Sequence, residues 1–383
     1  MKTLKICFSV IVASLISSSA FSQDSTSTFT LSGSIDTYFR SSFGMTNEAY
    51  GGYGPATSFA DLKGFSLGMV NLVASYQGEK AGFVGDLVFG PRGQAAVFGT
   101  ASGQAIINQM FAYYKFSDGF TLNMGQFNTF LGYEVISPTV NFHYSTSYLF
   151  SWGPFNHSGL RADFSFGDGM VAKLAVMNPT DIVEFNPVNT YTFGAQIGKT
   201  SDAGGVWLNF LYGDQDGTLD ENDDFLDDNG DLITSFGSLF QADLTLGYNL
   251  SETFYLGLNT SFQTVGAGEG FTGPGSIEDS DGDATSFFGV AVYPKLQLSE
   301  SFGLGLRGEY FSIKKGHLDI IGLDTNGDGN VVAFTLSGNY KVGGFTFIPE
   351  FRIDKTSENS FANKDGDPKD LMPSLTFAGV YKF

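Results

Sequence analysis

The sequence has little cysteine, little basic charge and no long apolar segment. Of its 383 residues, one is Cys, 20 are Lys or Arg and 40 are Asp or Glu, so the formal net charge is −20. This balance excludes a nucleic acid partner, because phosphate binding needs a basic surface. Beyond the first residues no apolar run reaches the roughly 18 residues that a transmembrane helix needs, which excludes helical membrane spans.

Glycine and phenylalanine are unusually frequent. The chain contains 50 Gly, 40 Phe and 17 Tyr, and 42% of its residues are hydrophobic. Average glycine usage is about 7%, and this apolar fraction is too high for an acidic disordered chain. The composition therefore predicts an aromatic-rich all-β protein, either a large sandwich or a membrane barrel.

The first 22 residues have the pattern of an export signal. Two lysines precede an apolar run over 6–16, and small residues stand three and one places before Gln23. This order is typical of a cleaved secretory signal, and the run is too short to span a bilayer as a helix. We expect 1–22 to be removed and 23–383 to form one domain. Cys7 would leave with the signal, so the mature chain would have no thiol.

The remaining chain is a succession of short runs in which every second residue is apolar. Such alternation predicts half-buried strands, and each run is close to the roughly 9 to 11 residues that a tilted strand needs to cross a bilayer. We predict sixteen strands, beginning near residues 28, 65, 81, 107, 120, 160, 170, 190, 205, 238, 254, 286, 302, 330, 345 and 371.

The connections between these strands alternate strictly between short and long. Seven are short turns, and eight are long loops at about 41–63, 90–106, 128–159, 178–189, 214–237, 263–285, 312–329 and 355–370. This pattern predicts an up-and-down antiparallel transmembrane β-barrel with short periplasmic turns and long extracellular loops. Aromatic residues beside the short turns and the alternation ending at Phe383 favour the same fold. We expect the protein to lie in lipid, in the outer membrane of a Gram-negative bacterium.

Two features interrupt the pattern. The second strand changes phase between Met69 and Val70, which predicts a β-bulge or a later start of the strand. Pro294 and Pro349 each remove a backbone donor inside a predicted strand. Because of these prolines, the strand count could differ from sixteen by two.

Charged residues occupy the strand positions whose parity faces the lumen. We predict that they line the pore, and they are Asp36, Arg40, Arg161, Asp163, Lys173, Asp243, Arg307, Glu309, Glu350, Arg352 and Asp354. They could filter small polar solutes, or they could pair with one another and hold the shape of the wall. Sixteen strands would leave an aqueous channel between them.

The loop over 128–159 is the predicted constriction. It is rich in aromatic residues that a loop in water would not need, so we expect it to pack inside the mouth or against a neighbouring subunit. Its candidate site residues are Tyr133, Glu134, His143, Tyr144, Trp152 and His157.

Several short motifs in and before this loop are characteristic. They are FGPR at 89–92, GQF at 125–127, GYE at 132–134, NFHYS at 141–145 and GPFNHSG at 153–159. With these motifs the chain resembles the β-barrel porin-2 (OmpL-like) outer-membrane family of Bacteroidetes and related bacteria, most specifically between about 81 and 160. The resemblance implies a porin-like outer-membrane barrel without catalytic residues.

One acidic loop contains a candidate calcium turn. Asp324, Asn326 and Asp328 followed by Gly329 fit the first half of an EF-hand loop, with Asn330 as a further ligand. Position 12 is Thr335 rather than Glu, and no helices are predicted beside it, so an EF-hand is excluded whereas a lone calcium turn is not. Related acidic fragments lie in 214–237, 263–285 and 355–370. The alternative is that these loops only keep the surface hydrated.

Enzyme motifs lack the context that their chemistry needs. The nucleophile-elbow pattern at 64–68 begins a predicted barrel strand rather than a strand-turn-helix unit. His157 and Ser158 have no evident orienting partner. We therefore predict no enzyme activity and no required cofactor, with Ca²⁺ as a candidate ligand of the loops.

These observations predict a porin-like channel for passive diffusion of small hydrophilic solutes. Acidic loops enrich cations at an entrance, so a mild cation preference is expected. The alternative is a closed structural or surface-interaction barrel whose acidic loops are ordered by calcium. By analogy with other sixteen-stranded porins, a homotrimer is the expected assembly.

Overall fold

Most of the described chain forms one closed barrel. The computed structural model describes residues 27–98, 106–186, 190–215, 239–266, 269–273, 276–279 and 283–383. The predicted signal 1–22 and most of the acidic loop 214–237 lie outside the described residues. Within the described ranges, sixteen long strands form a closed antiparallel barrel. No helix in these ranges is long and apolar enough to cross a bilayer.

The described strands and helices are numbered separately in chain order. The strands are β1 (Thr28–Ser41), β2 (Thr46–Asn47), β3 (Gly64–Gln77), β4 (Ala81–Phe89), β5 (Ile107–Ser117), β6 (Phe120–Asn128), β7 (Asn156–Gly167), β8 (Met170–Met177), β9 (Thr192–Ser201), β10 (Gly204–Gly213), β11 (Leu239–Asn249), β12 (Phe254–Val265), β13 (Glu269–Gly273), β14 (Ser276–Asp279), β15 (Thr285–Gln297), β16 (Phe302–Lys314), β17 (Gly329–Val342), β18 (Phe345–Thr356), β19 (Phe361–Ala362), β20 (Pro368–Lys369) and β21 (Leu371–Lys382). The short helices are α1 (Pro91–Ala96) and α2 (Tyr148–Ser151).

Five of these strands are small elements of the long loops, and the others form the barrel. Strands β13 and β14 form a hairpin, and β2, β19 and β20 form a three-stranded sheet. Each barrel strand pairs with the next barrel strand along the chain, and β21 pairs with β1 from Ser34–Lys382 to Ser41–Leu375. The barrel therefore has no free edge at which another strand could pair.

The predicted strand order and loop pattern are confirmed. Every barrel strand begins within about four residues of its predicted start, and in the described chain seven short connections alternate with eight long ones. The largest difference is at β7, which begins at Asn156 instead of 160. The long loop between β6 and β7 therefore spans 129–155, and we call it the inward loop.

The predicted change of phase in the second strand is a β-bulge. Ile35 pairs with Val70 and Thr37 pairs with Leu67, so Gly68 and Met69 together face the single residue Asp36. Asp36 accepts the amide N–H of Met69 at 3.1 Å. Because the bulge places two residues opposite one, the alternation of inward and outward side chains shifts by one residue here and then continues along the strand.

Neither strand proline changes the strand count. The β15–β16 register is the same on both sides of Pro294, with Val292 opposite Gly308 and Lys295 opposite Gly305. The β17–β18 register likewise continues past Pro349. Each proline only removes a ladder hydrogen bond, so the predicted uncertainty of two strands does not arise.

The outward faces of the strands are apolar. Phe65, Met124 and Phe166 have exposed fractions of 92%, 71% and 68%. Beside the short turns that follow β5 and β7, the rings of Phe116 and Phe120 stack at 5.1 Å, and Phe120 stacks on Phe164 at the same distance. Aromatic rings in this position are typical of the bilayer interface of a membrane barrel.

Candidate functional site

The inward loop lies inside the barrel and is bound by carboxylates of the strands. Glu309 of β16 accepts the amide N–H groups of Tyr148 at 3.0 Å and Leu149 at 2.8 Å. Glu350 of β18 accepts those of Tyr144 at 2.8 Å and Ser145 at 3.2 Å. Each carboxylate therefore satisfies two backbone donors that the irregular loop cannot pair internally.

Two aspartates extend this pattern to other strands. Asp36 of β1 accepts the Tyr144 hydroxyl at 2.5 Å. Asp243 of β11 accepts the amide N–H of Gly132 at 3.0 Å and side-chain amides of Asn209 and Asn259. Strands from the beginning, the middle and the end of the barrel sequence thus bind the loop, and these contacts restrict its movement within the lumen.

Two arginines bind the carbonyl groups of the same loop. Arg307 is fully buried and forms an ion pair with Glu134 at 2.7 Å, and it also donates to the carbonyl of Ser145 at 2.7 Å. Arg352 donates to the carbonyl of Thr146 at 2.7 Å and pairs with Asp354 at 2.7 Å. A buried pair of this kind is costly to break, because removing one partner leaves an uncompensated charge.

Apolar contacts complete the docking of the loop. Tyr148, Leu149 and Trp152 pack in one cluster with Phe287 and Phe311 of the strands. The indole N–H of Trp152 donates to the carbonyl of Ala56 at 2.8 Å, which joins the inward loop to the first long loop. Tyr148 and Trp152, two of the aromatic residues that singled out this loop in the sequence, are therefore buried contacts with the barrel.

The eleven predicted pore-lining residues divide into two groups. Eight are at most 3% exposed and so do not line an open lumen as predicted; they are Asp36, Arg40, Asp243, Arg307, Glu309, Glu350, Arg352 and Asp354. The inward loop was predicted to pack inside the mouth, but its contacts with these residues were not, and it covers most of them. The other three, Arg161, Asp163 and Lys173, are half-buried, and Arg161 pairs with Asp163 at 2.9 Å.

The six candidate constriction residues lie in three different surroundings. Tyr133, Glu134 and His143 border a cavity, whereas Tyr144 and Trp152 are buried in contacts with the barrel. His157 was predicted in the loop but lies in β7 opposite Phe127, where its ring contacts the hydroxyl of Thr129 at 3.0 Å. The loop boundary was placed too late because Asn156 to Gly159 lack apolar alternation.

The cavity lies between the inward loop and strands β8–β12 and β15. Its volume is about 630 Å³, and we call it the inner vestibule. The loop residues Phe130, Tyr133 and Phe142 line one part of it, and Trp207 and Tyr255 line another. Its position among residues such as Ser201, Gly204 and Gly247 places it toward the short-turn end of the barrel.

Two lysines of the described chain line the vestibule, of which Lys173 was predicted from the sequence as an inward residue and Lys295 was not. Lys295 lies among aromatic rings, with Nζ 4.4 Å from the ring centroid of Tyr255 and 5.2 Å from that of Tyr133. Lys173 donates to the Gln196 side chain at 2.9 Å. Lys295 shares its parity with Tyr293 and Ala291, which would have identified it as an inward residue had Pro294 not obscured the strand.

The candidate calcium turn is ordered by its own hydrogen bonds. One oxygen of Asp324 accepts the amide N–H groups of Asn326 at 2.8 Å and Asp328 at 3.0 Å. Asp328 binds Lys314 at 2.7 Å, and this contact lowers the pKa of its carboxyl below the usual range. Asn330 is the second residue of β17 and donates its amide N–H to the hydroxyl of Ser357 at 3.0 Å.

A second acidic turn has the same geometry. Asn363 accepts the amide N–H groups of Asp365 and Asp367 at 3.0 and 2.9 Å, as Asp324 does in the first turn. Nowhere in the described ranges do three or more His, Cys, Asp or Glu side chains converge as metal ligands would. Calcium binding in these loops therefore stays a prediction.

Comparisons with solved structures agree with this fold. The chain superimposes on OmpF of Salmonella typhi with a TM-score of 0.59 at 13% identity, covering 94% of this chain and 99% of that one. It superimposes on the channel DcaP of Acinetobacter baumannii with a TM-score of 0.57 at 13% identity, covering 95% and 99%. The anion-selective porin from Comamonas acidovorans gives 0.56 at 10% identity, covering 93% and 100%. Identities this low show a shared fold.

Sequence comparison gives the family. No curated protein matches the chain. A family model described as "Putative beta-barrel porin-2, OmpL-like" matches residues 28–383, so the resemblance carried by the motifs between 81 and 160 is confirmed and extends over the whole barrel. Membership makes the protein a non-enzymatic porin-like barrel of the outer membrane of a Gram-negative bacterium. The chain belongs to the β-barrel porin-2, OmpL-like family.

Proposed function

We propose that the barrel is a channel for passive diffusion of small hydrophilic solutes. A closed sheet of sixteen strands encloses more space than side chains alone can fill. The inward loop makes most of its buried polar contacts with β1 and β16–β18, and the inner vestibule remains against β8–β12. This one-sided packing is the observation that carries the proposal, because it narrows the lumen and leaves open space beside the loop.

Liposome swelling tests this function. Vesicles that contain the refolded barrel should swell in neutral sugars, and the rate should fall steeply as the sugar increases from a pentose to a trisaccharide. Equal rates for all sizes would contradict a constriction by the inward loop. Absence of swelling in a demonstrably folded barrel would contradict the channel itself.

A mild cation preference is the finer part of the proposal. Acidic residues of the long loops, such as Asp319, Asp324 and Asp365, raise the cation concentration at the outer entrance. The lysines of the inner vestibule act in the opposite direction. The opposite charges at the two ends therefore partly offset one another in their effect on ion selectivity. This supports a mild cation preference, which salt would weaken by screening.

A closed surface-interaction barrel is the alternative. The buried ion pair of Arg307 with Glu134 and the double amide contacts of Glu309 and Glu350 favour it, because they hold the loop firmly inside the lumen. In this reading calcium would order the turns at 324–330 and 363–367, and the ordered acidic surface would bind a partner. Conductance separates the two functions.

We also propose a homotrimer as the assembly. An OmpT of Vibrio cholerae with a similar fold was solved in a trimer form. In this chain an apolar groove of about 550 Å³ includes Ala162, Leu174, Ala195 and Phe210 of neighbouring strands, which would suit a subunit contact. Light scattering of the detergent-solubilised barrel should give three chains per particle, and a single chain would contradict the proposal.

A further inference from the structure

The inner vestibule has the chemistry of a binding site as well as that of a passage. Its volume of about 630 Å³ is typical of small-molecule sites, which commonly occupy 300 to 1,000 Å³. Its apolar lining is largely aromatic, from the rings of Phe130, Tyr133, Phe142, Trp207 and Tyr255. A wall of this kind presents flat faces against which a ring can stack.

Lys295 contributes one of the ammonium groups that line this cavity. In the described part of the chain no carboxylate or carbonyl accepts a hydrogen bond from its Nζ, which is instead 4.4 Å from the ring centroid of Tyr255 and 5.7 Å from that of Phe142. An ammonium held by aromatic faces keeps its three N–H donors available. Lys173 uses one donor on Gln196 and lines the same cavity.

The acidic group that lines the vestibule is already neutralised. Glu134 binds Arg307 at 2.7 Å with one oxygen and the amide N–H of Ser147 at 2.7 Å with the other. An adjoining pocket of about 150 Å³ shares Lys295 and adds Lys341 and Lys382, with no carboxylate among its described lining residues. The short-turn end of the lumen therefore has a local excess of positive charge.

Most other polar groups of the vestibule already have partners. The Gln196 side chain donates to Asn209 at 2.6 Å and to the carbonyl of Phe130 at 3.0 Å, and Asn209 donates to Asp243 at 2.9 Å. A neutral solute would find few unused hydrogen-bonding groups here. Recognition would rest on the ammonium groups and on the aromatic faces.

We propose that the inner vestibule is a binding site for ring-bearing organic carboxylates of about monosaccharide size. The carboxylate would accept hydrogen bonds from Lys295 and Lys173, and the ring would stack on the aromatic lining. This inference deepens the proposed channel function, since it names the solute class that the channel would hold on its way through. A charge without a ring, or a ring without a charge, would satisfy only half of the site.

Equilibrium binding to the refolded full barrel in detergent tests the site without needing conductance. The chain has two tryptophans, and Trp207 lines the vestibule whereas Trp152 is buried in the inward loop. Glucuronate should therefore change tryptophan fluorescence saturably, and W152F should keep the change. Calorimetry of the wild-type barrel measures the same affinity if W152F does not fold.

The ligands and variants form a matched set. Glucose lacks the charge and acetate lacks the ring, and each should bind about tenfold or more weakly than glucuronate. K295Q should weaken glucuronate binding about tenfold or more while changing glucose binding little. K173Q should act in the same direction, which keeps the test informative if K295Q fails to fold. K199Q is the control. Lys199 is exposed and lies on the face of β9 opposite to Gln196, which lines the vestibule.

Three results would overturn the inference. The first is equal affinity for glucuronate, glucose and acetate, the second is glucuronate binding that K295Q and K173Q leave unchanged, and the third is solute flux without saturable glucuronate binding. Failure of the channel itself looks different: saturable glucuronate binding in a barrel without solute flux would support the site and contradict the proposed function. Flux without saturable binding would overturn the inference alone.

Discussion

Arg307 joins the barrel strands to the inward loop through a fully buried guanidinium group. Its partner Glu134 is 3% exposed at the side chain, and the two groups are 2.7 Å apart. E134Q should destabilise the docked loop by about 3 to 5 kcal/mol, because Arg307 then stays buried without its counter-charge. Limited proteolysis of the inward loop in native-like detergent measures this loss as faster cleavage between 129 and 155.

The pair Arg161–Asp163 provides the control. Its side chains are 14% and 29% exposed, so water screens the interaction. D163N should cost under about 1 kcal/mol and leave the cleavage rate close to that of the wild type. If both variants were cleaved at the same rate, the buried pair would not be what holds the loop.

Asp181 is a buried carboxyl in the long loop after β8. Burial raises its pKa from 3.8 to about 7, and one of its oxygens accepts the amide N–H groups of Phe155 and Asn156 at 2.9 and 2.7 Å. The unfolded chain loses this proton near its ordinary pKa, whereas the folded loop keeps it until about pH 7. Stability is therefore fully present below the ordinary pKa and falls as the pH rises toward 7.

The D181N variant separates this effect from other titrations. The wild type should lose up to about 4 kcal/mol of unfolding free energy between about pH 4 and pH 8, and D181N should lack that part of the loss. Its carboxamide oxygen can still accept both amide N–H groups. Urea unfolding at the two pH values measures the difference, and parallel profiles for the two proteins would show that Asp181 does not titrate as described.

At the scale of elements, the two acidic turns give the calcium prediction. Residues 324–328 and 363–367 share the same backbone hydrogen bonds around a first Asp or Asn. Calcium at about millimolar concentration should slow proteolysis of the loop between β16 and β17, since sites of this openness bind at about 10⁻⁴ to 10⁻³ M. D324N should abolish the effect, and D370N, in an exposed contact with Lys355, should not. Unchanged proteolysis with calcium would exclude the site.

The strands could be predicted from the sequence because lipid and lumen impose opposite polarity on alternate residues. This rule located every barrel strand and also the bulge opposite Asp36, where the alternation changes phase. It failed at the start of β7, since Asn156 and His157 are buried polar residues that pair with β6 and do not alternate.

The docking of the inward loop could not be predicted in the same way. Glu309 and Glu350 bind backbone N–H groups, and every residue except proline offers such a group, so no pairing of side chains indicates the contact. Parity alone placed these residues in the lumen, which is correct, but it could not show that a loop covers them. The aromatic content of the loop was the useful signal, because it predicted packing rather than exposure to water.

At the scale of the whole molecule, the two ends of the lumen differ in charge. The long loops are acidic, whereas Lys173, Lys295, Lys341 and Lys382 line cavities at the short-turn end. Dilute salt lengthens the range of a charge from about 3 Å at 1 M to about 30 Å at 0.01 M. In singly inserted channels, the reversal potential should therefore indicate cation preference when the dilute solution bathes the long-loop side. The reversal potential should shift toward anion preference when the salt gradient is reversed. Reversal potentials of equal magnitude for the two gradient directions would contradict this charge arrangement.

Single-channel conductance of the refolded barrel in a planar bilayer tests the central claim most directly. The claim is that the inward loop narrows the lumen and leaves a path through the inner vestibule. In molar KCl the wild type should give stable steps on the nanosiemens scale, and E134Q should give larger or noisier steps because its loop is less firmly held. Silence from a barrel shown to be folded would contradict the channel and favour the closed surface-interaction barrel.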